Sequence, residues 1–237
     1  MNQEQTDCYF DKILPHYKAM AENPKVQQIN AKTPQSFFCT QWGESFDRGI
    51  LFVGRATNGW GGGIDPDNLH SVFPDGDHLK WISKGWNNPR HNKDGKKLWA
   101  GKRSAFWRLI RKVTEHYHKE NWVDHIAWTN LAKCVPSGSG NPSESLWCAT
   151  LDQNKELMRT DIEMLNPKVV VFITLGWGDA IVRSIVGEKF NSRECAVRTW
   201  QIDGRLIIAC KRPEGRSEDA IAKSICAAID GFNGSNI

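Results

Sequence analysis

Four short, almost uninterrupted apolar runs alternate with segments of helical periodicity, and that alternation narrows the possible folds more than any other feature. The runs are "ILFVG" at 50–54, "HIAWTN" at 125–130, "KVVVFIT" at 168–174 and "RLIIAC" at 205–210. Runs of this length with no polar alternation suit parallel strands covered on both faces. Between them lie helical patterns. Phe10, Ile13, Leu14 and Tyr17 mark a helix over 7–22, interrupted by Pro15 and ended by Asn23-Pro24. Phe106, Leu109, Ile110, Val113 and Tyr117 mark a second, with Ser104 as cap. Asn141 as N-cap, Pro142 at the first helical position and Glu144 three residues past the cap predict a third, running to about Leu165 before Asn166-Pro167 stops it. "DAIVRSIVG" reads as a short helix, and Ser217 caps a last one presenting Ile221, Ile225 and Ile229. The expectation is an α/β fold, a three-layer α/β/α sandwich around a central four-stranded, mainly parallel sheet, with its site at the carboxyl ends of the strands.

A chain of 237 residues suits one such domain spanning 1–237. It carries an N-terminal helical extension (1–48) and a Trp-containing basic insertion (60–103). No run approaches the roughly 18–20 apolar residues of a membrane span, and "MNQEQTDCYFDK" lacks the basic and apolar regions of a secretory signal. Seven widely spaced cysteines fit reduced thiols rather than a disulfide framework. A cytoplasmic protein without a membrane partner is therefore expected, and a monomer.

The overall charge of +4 conceals a concentration. Between Lys80 and Lys112 stand eleven lysines and arginines against one acid, Asp94, so this segment carries +10 and the remainder −6. Trp81, Trp86, Trp99 and Trp107 are interleaved with these cations. Aromatics among cations suit a polyanion whose bases stack; a solvated loop leading into a helix with a basic outer face is the alternative.

Three strand ends carry polar groups: Gly54-Arg55-Ala56-Thr57-Asn58, Thr129-Asn130 and Lys211-Arg212-Pro213-Glu214. An Asn that ends a strand either caps a turn through its own backbone or reads something beyond the sheet. The pieces "ILFVGRATNGW", "WTNLAKCVP", "NPSESLWC", "LNPKVVVFITLGWGDAIV" and "IIACKRPEGRS", in that order, resemble the uracil-DNA glycosylase superfamily, its family 4 branch most closely. The likeness covers about 49–230 with a gap over 60–103. It implies a pocket for a base rotated out of a nucleic-acid stack, DNA rather than RNA, in which the amide of Asn130 pairs with the carbonyl and N–H of a uracil edge. Gly54, Ala56 and Phe73 would complete that pocket. Lys96, Lys97, Lys102, Arg103 and Arg216 would hold the nucleic-acid backbone.

The chain departs from the family pattern at both catalytic positions. Arg55 stands directly after the strand-ending Gly, where the family has a carboxylate or amide that orients water or steadies the sugar cation; Asn58 or Asp65, with Asp67 further along, would have to substitute. Arg212 stands where the family has a His that donates to the departing base, and a guanidinium can stabilise that anion or grip a phosphate. Family 4 proteins hold a four-iron cluster on four cysteines. Cys134 and Cys148 match the later pair, but Cys8 and Cys39 are too far apart to be the earlier one, so no iron–sulfur cluster and no other cofactor is expected. Cys134 and Cys148 are expected as small buried residues. His116 and His118, two apart on a helix, do not share a face and are not expected to hold zinc. Three classes of function follow: a divergent glycosylase hydrolysing an N-glycosidic bond, a catalytically inactive nucleic-acid or nucleotide-binding module, and a hydrolase of small nucleosides or nucleotides.

Overall fold

The computed structural model describes residues 3–57, 62–65, 79–87, 101–138, 140–187 and 197–234. Among these are seven α-helices, α1(Gln3–Glu22), α2(Pro24–Lys32), α3(Lys80–Asn87), α4(Ala105–Tyr117), α5(Glu144–Leu165), α6(Asp179–Val186) and α7(Glu218–Gly234). The strands are β1(Gln35–Phe37), β2(Gln41–Trp42), β3(Ile50–Gly54), β4(Ile126–Asn130), β5(Cys134–Pro136), β6(Val169–Phe172), β7(Val197–Ile202) and β8(Arg205–Cys210).

The four apolar runs become β4, β3, β6 and β8, adjacent in that order and all parallel. The expected sheet of four is extended to six: β2 joins β4 and β7 joins β8, each antiparallel. Those edges escape a search for continuous apolar runs because β2 has only two residues and β7 alternates partly buried with exposed positions. Asp203 and Gly204, both with positive φ, make the tight turn that joins β7 to β8. A separate two-stranded ribbon pairs β1 with β5.

Period-two alternation divides the core. Leu51, Val53, Ala127, Val170 and Phe172 face one side, where Tyr9, Ile13, Tyr17 and Met20 of α1 pack with Leu157, Met158 and Ile162 of α5 and with α6. Phe52, Ile126, Trp128, Val171 and Ile208 face the other, against α3, α4 and α7. Helices thus cover both faces of a mostly parallel sheet.

Several local features differ from expectation. The first helix begins at Gln3 and runs through Pro15. Asn23-Pro24 does end it, but the same Asn caps α2: its Oδ1 accepts from the Lys25 N–H at 2.9 Å, and Pro24 opens the helix. Ser143, not Asn141, caps α5 by accepting from the Leu146 N–H. Ser104 and Ser217 cap α4 and α7 as expected.

The insertion contains α3, which its basic composition hides. Leu79 and Ile82 are buried, and Trp81 packs at 6.0 Å from Trp107, which in turn lies 4.9 Å from Trp128. Trp86 lies against Trp122, with the Arg111 guanidinium 4.7 Å from its ring centroid. Trp107 is thus a core residue and Trp81 and Trp86 are partly buried against the core; each aromatic pair contributes about 0.5–1.5 kcal/mol beyond its burial. Lys80, Arg108, Arg111 and Lys112 are paired with Glu44, Glu218, Glu115 and Asp219. Trp99 lies outside the described residues.

Candidate functional site

The parallel register sets Gly54 opposite Asn130 at the carboxyl ends of β3 and β4. The pairing continues past the strands: the Leu131 N–H donates to the Gly54 carbonyl and the Ala132 N–H to the Arg55 carbonyl, each at 2.9 Å. The side chain of Asn130 then has one place to go, across the face of Gly54. It is 2% exposed. A Cβ on Gly54 would stand 2.3 Å from the Asn130 Oδ1 and 3.2 Å from the ring of Phe106, so glycine at this position is what admits both groups.

The Nδ2 of Asn130 is buried with no hydrogen-bond partner among the described residues. A turn-capping Asn satisfies itself through nearby backbone; this one leaves its donor end open. It is not alone. The Nε of Arg55, the Oγ1 of Thr57 and the Oγ1 of Thr174 are likewise buried without partners, and all lie just beyond the carboxyl ends of β3 and β6. An unpaired buried polar group costs about 1–3 kcal/mol; side-chain atoms of Gln35, Trp128, Arg198 and Arg205 also lack a partner among the described residues, so what sets Asn130, Arg55, Thr57 and Thr174 apart is their place at the carboxyl ends of the parallel strands.

Charge at this edge is positive. Arg55 is partly buried, and burial together with the neighbouring Arg212 holds its pKa below the ordinary guanidinium value, while Glu214 opposes the shift. Arg212, on the loop after β8, is ion-paired with Glu214. Arg108 ties two further segments together: its Nη1 donates to the Lys102 carbonyl at 2.8 Å, and its Nε donates to both carboxylate oxygens of Glu218 at 3.1 Å. That hydrogen bonding holds Glu218 below the usual carboxylate range. It also brings the turn carrying the exposed Lys102 and Arg103 beside the loop that carries the exposed Arg216.

Of the residues expected in a pocket, Gly54 and Asn130 are in contact, and Ala56 is partly buried two residues beyond Gly54. Asp65 is exposed in a segment held against β1, where Gly63 donates to Ser36 Oγ and accepts from the Phe37 N–H. Asn58, Asp67, Phe73, Lys96 and Lys97 lie outside the described residues. Phe106 was read from the sequence only as the core-facing start of a helix; its approach to Gly54 follows from the crossover that brings α4 back over β3.

Behind Asn130, on the opposite face, is a group the sequence reading passed over. Lys133 is fully buried; its Nζ donates to Asp161 Oδ2 at 2.5 Å, to Thr40 Oγ1 at 3.1 Å and to Thr129 Oγ1. Asp161 also accepts from Thr129 at 3.0 Å and from the Tyr9 hydroxyl at 2.7 Å. A charged residue inside the apolar stretch 126–136, and an acid on the same face of α5 as Met158, Ile162 and Leu165, were the available signals.

Cys134 is buried, as expected, with its thiol pushed up to about 12 by burial. Cys148 is exposed, contrary to expectation, because Leu146 and Thr150 on either side of it take the inward face of α5. Among the described residues no group of three or more His, Cys, Asp or Glu side chains is placed to hold a metal ion. No helix there is long and apolar enough to cross a membrane. The chain matches no protein-family model, and no curated protein matches it.

Proposed function

We propose that this chain is a uracil-DNA-glycosylase-like protein that binds a base rotated out of nucleic acid, with Asn130 reading the edge of that base. One observation carries the reading: the amide of Asn130 is buried across Gly54 with its Nδ2 unpartnered, at the carboxyl edge of a parallel sheet. An amide offers a donor beside an acceptor, which complements the carbonyl and N–H of a uracil edge. Phe106, whose ring reaches Gly54, supplies an apolar surface next to that amide. Lys102, Arg103, Arg212 and Arg216 supply cations for phosphate, with Lys96 and Lys97 as further candidates.

Hydrolysis of the N-glycosidic bond is the second reading, and Arg212 is the observation that favours it. Bond cleavage leaves an anionic base, which a guanidinium at the end of β8 would stabilise. A polar or negative group must also stand beneath the sugar cation, and Asn58, Asp65 and Asp67 are the candidates for it. Arg212 is itself ion-paired with Glu214, and Asp65 is exposed in the segment beside β1, which together favour the inactive binding module.

The test is calorimetric titration of the protein with deoxyuridine monophosphate and, separately, incubation with uracil-containing single- and double-stranded DNA followed by alkaline cleavage of abasic sites. Binding is expected, weakened at least about tenfold by Asn130→Ala through loss of charge-independent hydrogen bonds totalling about 1.4 kcal/mol or more. Asn130→Asp, which accepts without donating, should weaken it as well. Strand cleavage that Arg212→Ala abolishes would establish the enzyme; binding unchanged by either Asn130 variant would overturn base reading.

A further inference from the structure

Trp81, Trp86 and Trp107 pack against the core around α3 and α4, and two further tryptophans pair elsewhere. Trp147, near the start of α5, and Trp177, in the turn before α6, are each partly buried, and their rings meet at a centroid distance of 4.5 Å and an angle of 44°. They adjoin the base-reading residues through two short connections. Arg55, which follows Gly54, has its guanidinium carbon 6.0 Å from the Trp177 ring centroid. Leu131, which follows Asn130, lies under Gly178, where a Cβ would come within 2.4 Å of the Leu131 Cδ1 and 3.6 Å of the Trp147 ring. Gly178 has a φ of 73°, and the Trp177 N–H is tied to the Thr174 carbonyl at 2.8 Å, so the turn is fixed in place.

Resting on the base-reading role of Asn130, we infer that Trp177, backed by Trp147 and faced by Arg55, is a stacking platform for a neighbouring base of a single-stranded nucleic acid. Charge and geometry select this occupant. Arg55, Arg212, Lys211 and Arg216 border the same sheet edge, and a cation next to an aromatic face suits a base with its phosphate. A separation of 6.0 Å exceeds the roughly 3.5–4 Å of a direct stacking contact and falls about 1 Å short of the two contacts a sandwiched base requires, so a small outward swing of Arg55 admits one. In a duplex the second base stays stacked on its neighbours and only the rotated one is available; a splayed single strand offers both.

The experiment is fluorescence anisotropy with an end-labelled oligodeoxycytidylate with and without one deoxyuridine, as a single strand and as a duplex, for wild type, Trp177→Ala, Trp177→Phe, Arg55→Gln and Asn130→Ala. Urea midpoints confirm that each variant is folded. Trp177→Ala should weaken single-strand binding about 5- to 100-fold with little change for duplex, and Trp177→Phe should restore most of the loss. Arg55→Gln should reduce the salt slope by about one, whereas Trp177→Ala leaves it unchanged. Equal losses on single strand and duplex, or no loss, overturn the platform. If Trp177 matters while deoxyuridine and deoxycytidine are bound alike regardless of Asn130, the platform stands and base reading fails. The reverse pattern keeps base reading and removes the platform; absence of binding to either nucleic acid removes both.

Discussion

Thr129 and Asn130 are neighbours on β4, and their side chains leave the sheet on opposite faces into opposite polar regimes. Thr129 enters a closed network. It donates to Asp161, accepts from Lys133 and shares a 2.6 Å hydrogen bond with Thr40, while the three ammonium donors of Lys133 go to three acceptors. Asn130, one residue on, lies against Gly54 and Phe106 with no partner for its Nδ2 among the described residues, and the Arg55 Nε and the Thr57 and Thr174 hydroxyls at the same strand ends likewise find none there. Burial alone does not separate the two, since Lys133 and Asn130 are both almost inaccessible. Saturation does. A network that satisfies itself holds the fold together, whereas buried groups left open at the carboxyl edge of a parallel sheet are the ones on which the proposed base binding rests.

The largest effect should come from breaking the closed side. Lys133→Met removes the cation and leaves the Asp161 carboxylate buried without its counter-charge, a change expected to cost about 3–5 kcal/mol. It is read as a lower urea midpoint at unchanged m-value. The double variant Lys133→Met/Asp161→Leu removes both charges and should recover more than half of that loss, because most of the penalty belongs to the stranded partner. A loss below about 1 kcal/mol for the single variant would mean the network is not what fixes α1 and α5 to the sheet.

Gly54→Ala attacks the open side with a smaller cost in stability and a larger one in binding. The new methyl meets the Asn130 Oδ1 at 2.3 Å and the Phe106 ring at 3.2 Å, so both must shift. Overpacking of this kind costs about 1–3 kcal/mol, and the displaced amide should lose its preference for uracil over cytosine, whose edge reverses the donor and acceptor, in an oligonucleotide competition. A variant that keeps that preference would show that Asn130 reads nothing across Gly54.

The four central strands were legible because parallel strands buried on both faces must be apolar throughout, which leaves a mark in a single sequence. Asn130 and Gly54 were legible for the related reason that a strand end in such a sheet is where polar groups can first appear. The network was not, because Tyr9 and Asp161 are 152 residues apart and nothing local in either helix announces the other. The packing of the basic segment was not legible either: Trp81, Trp86 and Trp107 are interleaved with cations in sequence, but on α3 and α4 they turn toward the core while Lys80, Arg108, Arg111 and Lys112 reach outward to carboxylates. Trp147 and Trp177 belong to separate elements with no shared motif, so only the fold brings them together.

The smallest effect is the sharpest test of the difference between the two regions, because it uses one substitution in both. Thr→Val exchanges a hydroxyl for a methyl of nearly the same shape. At Thr129 it deprives Asp161 of a donor and Lys133 of an acceptor, among side chains that are all fully buried. A loss of about 1–3 kcal/mol is expected there, since buried charged groups lose a partner. At Thr174, also fully buried but with no partner for its Oγ1 among the described residues, the same exchange removes a hydroxyl that none of them satisfies. Stability should change by less than about 0.5 kcal/mol or rise slightly, at a position just beyond β6 on the same edge as Asn130. Chemical denaturation of the two variants side by side gives the answer. Equal losses would mean that the Thr174 hydroxyl has a partner in solution and that the open edge is already satisfied by the chain; opposite signs would mark it as a site completed only by its ligand.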